Sequence, residues 1–158
     1  MVLRKGAPAT KNLLKWKIAR GGHASPGDLG DLVGGELTLG ICLYDTSATP
    51  QPLLAAAVLS GGTCGSKPCW KGIAGGGYRY KNKTGATDGI TDVRLRASGS
   101  GELGLVAKGK GAALPMPDLG LVPPVRLQLV LSNPGGTICW ESSFTSPIKN
   151  DASLFKSN

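Results

Sequence analysis

Apolar and polar residues alternate with a period of two along much of the chain. In Lys11 to Ile18, Leu14, Trp16 and Ile18 fall on one face and Leu13, Lys15 and Lys17 on the other, the signature of a half-buried strand. Glu36 to Asp45 repeats the pattern, setting Leu37, Leu39, Ile41 and Leu43 against Thr38, Cys42 and Tyr44. Tyr78 to Lys81, Ile90 to Ala97, Glu102 to Lys108, Val125 to Leu131 and Ile138 to Phe144 read the same way. Leu53 to Leu59 is Ala-rich, but its length and the flanking Pro52 and Gly61-Gly62 favour a strand over a helix.

Turn chemistry separates these runs. Ser98-Gly99-Ser100-Gly101 and Asn133-Pro134-Gly135-Gly136 predict hairpins, Thr46 to Pro52 and Asn82 to Gly89 predict turns, and Gly21 to Gly35 and Ala112 to Pro124 predict irregular segments. No amphipathic helix emerges. The expectation is an all-β, antiparallel β-sandwich or jelly-roll-like single domain over 1–158, with about eight short strands. Residues 1–20 read as an exchangeable N-terminal strand, and 145–158 as a tail that docks at a sheet edge through Leu154 and Phe155.

Composition agrees with a turn-rich β protein: 25 Gly and 11 Pro stand between ordered apolar runs. No stretch reaches the ~20 apolar residues of a membrane helix. Met1 to Gly6 lacks the apolar core of a secretory signal, so export implies a removed leader or a module of a longer chain. Four cysteines, at 42, 64, 69 and 139, favour disulfides over zinc, because Cys42 and Cys139 are isolated and His23 is the only histidine. Cys64–Cys69 would staple a tight loop and Cys42–Cys139 would join two strands; the other pairings stay open.

The net charge of +8 is unevenly placed. Residues 1–20 and 67–110 are basic, whereas 21–66 carry Asp28, Asp31, Glu36 and Asp45 and no base. Because Lys and Arg alternate with apolar residues, the reading is a solvated strand face, and nucleic acid is not an expected partner. A basic first strand and an acidic second segment could also attract one another, within or between molecules.

Candidate chemistry is sparse. Gly104 to Lys110 matches the first seven positions of a P-loop, but Gly111 stands where Mg²⁺ needs a hydroxyl and no helix follows. His23 sits in a Gly/Pro loop with no linked nucleophile, so no catalytic residue is assigned and the chain reads as a non-enzyme without a cofactor. Asp88 and Asp92 around Gly89 are weak calcium candidates. Asn82-Lys83-Thr84 is a formal glycosylation sequon. Tyr78 and Tyr80 share one strand face and are candidates for a sugar-stacking platform, with core or cross-strand packing as the preferred reading.

Several segments carry a resemblance. These are Lys11 to Lys17, Cys64-Gly-Ser-Lys-Pro-Cys-Trp-Lys71, Gly77 to Lys83, Val106 to Gly111 with Leu114-Pro115, Val125 to Leu131, Cys139 to Phe144, and Pro147-Ile-Lys-Asn-Asp151 with Phe155-Lys156. Together they resemble uncharacterised β-rich domains of predicted exported proteins from myxobacteria and related environmental bacteria. The likeness spans nearly the whole chain, and it implies an extracellular β module without bringing an activity or a substrate. The expected function is therefore a non-enzymatic extracellular structural or surface module. It would assemble with copies of itself into oligomers or filaments through strand edges, with Leu14, Trp16 and Ile18 on the donor strand. A carbohydrate-binding or adhesive module, with polysaccharide as partner, is the alternative, and a secreted hydrolase the third.

Overall fold

A computed structural model of the chain describes residues 1–47, 51–97 and 101–158. The alternating runs become strands, and the strands form two antiparallel sheets. In chain order the strands are β1 (Val2–Arg4), β2 (Leu13–Ile18), β3 (Thr38–Tyr44), β4 (Leu54–Leu59), β5 (Thr63–Cys64), β6 (Lys67–Pro68) and β7 (Trp70–Gly72). They continue with β8 (Gly77–Lys81), β9 (Ile90–Ala97), β10 (Leu103–Lys110), β11 (Val125–Asn133), β12 (Gly136–Phe144), β13 (Lys149–Asn150) and β14 (Leu154–Lys156). A broad sheet runs β13-β14-β1-β2-β10-β9-β8-β7, a narrow sheet runs β12-β11-β3-β4, and β5-β6 form a small separate hairpin.

The two sheets close on one core, as the period-two pattern requires. Leu14, Trp16, Val93, Leu95, Leu105 and Tyr80 come from the broad sheet, and Leu39, Ile41, Leu43, Leu127 and Leu129 from the narrow one; all are buried. Each of the three tryptophans buries its ring and finds a partner for its indole N–H. Trp16 donates to Ser142 Oγ at 3.3 Å, Trp70 to the Leu59 carbonyl at 2.8 Å, and Trp140 to the His23 carbonyl at 3.0 Å. The Trp16 and Trp70 bonds tie one sheet to the other.

The N-terminal segment is not a detached strand awaiting a partner. Its strand, β2, lies inside its own broad sheet between β1 and β10, with Leu14 and Trp16 buried and Ile18 packed on the core. The tail supplies β13 and β14, and β14 pairs with β1. The Ser98 to Gly101 hairpin lies largely outside the described residues, as does the middle of the Thr46 to Pro52 turn. Pairing of Ala97 with Leu103 brackets the hairpin on both sides.

Cys64 and Cys69 are bonded to one another, whereas Cys42 and Cys139 are free. The expected Cys42–Cys139 bridge fails on sheet order. Both side chains face outward from the narrow sheet, but β11 lies between their strands: Cys42 opposes Gln128, and Cys139 opposes Val130. Two inter-strand spacings come to about 10 Å, beyond the ~7 Å Cα limit of a disulfide.

The segregation of charge has a local cause. Asp28 closes a capping box with Ser25, Asp31 accepts from the Val33 and Gly34 N–H groups, and Asp45 accepts from Ser47 and Val122. These acids cap turns, while the bases stand on strands.

Candidate functional site: a basic sheet face and its cleft

Inward residues of the broad sheet are apolar, so its outward positions collect the polar half of every alternating strand. Register places these outward residues in rows that cross the strands. One row runs Lys149, Lys156, Val2, Lys15, Lys108, Asp92, Lys81. The next runs Lys17, Val106, Arg94, Arg79, Lys71. Lys110, Arg4 and Arg96 complete the face, which thereby holds twelve of the 18 basic residues and, on its strands, the single carboxylate of Asp92.

A cleft of about 730 Å³ opens at the β7–β8 end of this face. Lys67, Lys71, Arg79, Lys81 and Lys83 line it. Its two walls are fixed by different chemistry. The β5–β6 hairpin forms one wall, with Cys64 paired to Lys67 and the loop closed by the Cys64–Cys69 disulfide. The opposite wall is the turn Asn82–Thr84, where Asn82 Oδ1 accepts the Thr84 N–H at 3.1 Å and the Thr84 hydroxyl at 2.7 Å. The floor is the β7–β8 hairpin. Its turn needs Gly77, because a Cβ there would come within 2.2 Å of the Leu95 carbonyl oxygen and φ is 141°. A second depression of about 370 Å³ shares Lys81 and Lys83 and adds Lys108 and Lys110.

Arg79 is the most constrained cation in the cleft. Its Nη2 donates to Asp92 Oδ2 at 2.8 Å, while its Nε is buried and has no partner among the described residues. Lys71 and Arg94 stand directly opposite it on the neighbouring strands.

The residues singled out from sequence fall elsewhere or do other work. Tyr78 and Tyr80 do share a face, but it is the inner one. Tyr80 is buried against Trp70 with ring centroids 5.2 Å apart, and Tyr78 donates to the Gly30 carbonyl at 2.7 Å, so they form no sugar platform. Asp88 and Asp92 do not converge on a cation: Asp88 accepts the Ala57 N–H at 2.9 Å and Asp92 is held by Arg79. No cluster of three or more His, Cys, Asp or Glu suited to a metal occurs among the described residues. Asn82 of the sequon is buried, with its Nδ2 donating to the Tyr80 hydroxyl at 3.2 Å. Gly104 to Lys110 is strand β10, and His23 is exposed in a bridge to Glu102. Partial burial, followed by the nearby Glu141 carboxylate and Cys42, pushes the Cys139 thiol above its ordinary range, which disfavours a reactive thiolate.

The basic face itself was missed as a site. Its signal was present in the Lys and Arg at every second position of four segments, but only the pairings of β8 with β9, β9 with β10 and β10 with β2 bring those segments together. No family model, curated protein or solved structure matches the chain. No described helix is long and apolar enough to cross a membrane.

Proposed function

We propose that this chain is a non-enzymatic extracellular module that holds an acidic polysaccharide against the outer face of its broad sheet. The observation that carries the reading is the arrangement of cations: two rows cross the sheet with one carboxylate between them. Rows of this kind raise the local concentration of a linear polyanion. An acidic sugar polymer is favoured over nucleic acid because proteins that grip single strands add aromatic rings for base stacking. Among the described residues every aromatic side chain of the broad sheet turns inward: Trp16, Trp70, Tyr78, Tyr80 and Phe155. The Cys64–Cys69 disulfide supports an oxidising, extracellular setting, as does the resemblance to exported bacterial domains. Retention on a carboxylated or sulfated polysaccharide matrix, absent on a neutral one and lost with salt, is the expected result. Equal passage through all three matrices would remove the reading.

A second reading, self-pairing, is favoured by one contrast between sheet edges. On β4, the Ala57 N–H is covered by Asp88 and the Leu59 carbonyl by Trp70. At the other edge of the same sheet, β12 runs for nine residues with no described strand beyond it and with no Lys, Arg or Pro. Assembly through β12 would give oligomers that grow with concentration. A monomer by light scattering at high concentration would exclude it.

A further inference from the structure

We infer that the cleft beside the Cys64–Cys69 loop is a subsite for one tetrahedral oxyanion, a sulfate ester or a phosphate, read by Arg79. The inference rests on the acidic-polymer reading and deepens it by naming the anion. Three like charges, on Lys71, Arg79 and Arg94, face each other directly across β7, β8 and β9. Opposed like charges destabilise a sheet, and here the one neighbouring carboxylate, Asp92, is already engaged by Arg79 Nη2. The trio therefore lacks its counter-charge.

Arg79 adds a second, independent sign. A buried donor without an acceptor is costly, and most such groups in native proteins are satisfied. Its Nε is such a donor, itself covered from solvent, while the rest of the side chain lines the cleft. Asp92 holds the guanidinium in place, so the fork is set before a ligand arrives. A sulfate or phosphate offers oxygens in several directions and so can meet the Arg79 guanidinium and the lysines that line the cleft, Lys71 among them, together. A planar carboxylate presents two oxygens in one plane and would duplicate Asp92 without reaching the flanking cations. The cleft, at about 730 Å³, is much larger than one such ion, leaving room for the sugar that carries it.

The test uses the full chain labelled with ¹⁵N, titrated at constant ionic strength with sodium sulfate, sodium phosphate and sodium acetate in turn. Sulfate and phosphate are expected to shift the Arg79 Nε–H and the Lys71 amide saturably, and acetate to leave both in place. Arg79→Lys keeps the charge but removes the fork, and is expected to weaken anion binding about ten-fold as read at Lys71. Lys71→Gln, at an exposed position, gives a second variant that does not disturb the Arg79–Asp92 pair. Acetate acting like sulfate, or Arg79→Lys binding as tightly as the parent, would overturn the subsite. A sulfated oligosaccharide that reproduces the sulfate shifts places the anion on a polymer. Shifts from inorganic ions alone retain the oxyanion site and assign it a free ion. Salt-sensitive retention on a sulfated matrix with no ion response at Arg79 would sink the subsite and spare the polymer reading. Failure of both would end both.

Discussion

Replacing Lys15 and Lys156 with glutamine removes two cations from the longest row without touching the cleft. Lys149, Lys156, Lys15, Lys108 and Lys81 lie across seven strands of that row, a width of about 30 Å at ~4.8 Å per strand. A polymer chain laid along it meets five cations, of which Lys149 must exchange its Asp151 partner at 3.2 Å for the polymer. Counterion release for a flexible single chain gives a slope of log K against log salt of roughly −0.7 per contact, hence about −3.5 here. Raising salt from about 50 to about 200 mM should then weaken binding about a hundredfold. With three contacts the slope falls to about −2.1, and the same change in salt costs only about twentyfold. Fluorescence anisotropy of a labelled sulfated oligosaccharide at several salt concentrations reads both slopes. Both side chains are exposed, so the variant should fold normally. An unchanged slope in a folded double variant would refute placement of the polymer on this row.

Other expectations concern the scaffold. Gly77→Ala should cost more than about 2 kcal/mol in urea unfolding, because its Cβ would strike the Leu95 carbonyl at a φ of 141°; a neutral result would contradict that contact. Asp88→Ala should lose about 0.5–1.5 kcal/mol and raise aggregation, since it uncovers the exposed Ala57 N–H on the β4 edge; turbidity on mild heating checks it. Burial raises the Asp45 carboxyl, but hydrogen bonds from Ser47 and Val122 outweigh this and hold it below the ordinary carboxylate range. Its stabilisation is therefore present above about pH 4 and lost as pH falls through the folded value. Asp45→Asn should accordingly flatten the acid limb of the stability curve. Thiol titration of the unfolded, non-reduced chain should count two free cysteines, Cys42 and Cys139; a count of zero would restore a second bridge.

Alternation made the long strands legible, from Leu13–Ile18 to Gly136–Phe144, because one buried face imposes a period of two. Two- and three-residue strands such as β1, β5, β6 and β13 are too short to show any period; β1 and β13 form on the edge of a neighbouring strand, and β5 and β6 pair with each other in the loop closed by the Cys64–Cys69 disulfide. Periodicity also groups residues on a face without saying which face is inner. Tyr78 and Tyr80 are grouped correctly by alternation, which leaves an outward platform and inward packing both open; the Trp70 ring and the Gly30 carbonyl draw them in. Sheet order is the other hidden variable. It set β11 between the two free cysteines and brought β2 beside β10, some ninety residues later in the chain, making scattered lysines into one surface.

The most direct test of that surface is a map of backbone amide shifts during titration with a sulfated oligosaccharide. Shifts concentrated on β2, β8, β9 and β10, fading as salt is added, are what the basic face predicts. Shifts confined to β3, β11 and β12 of the narrow sheet, or none at all, would contradict it.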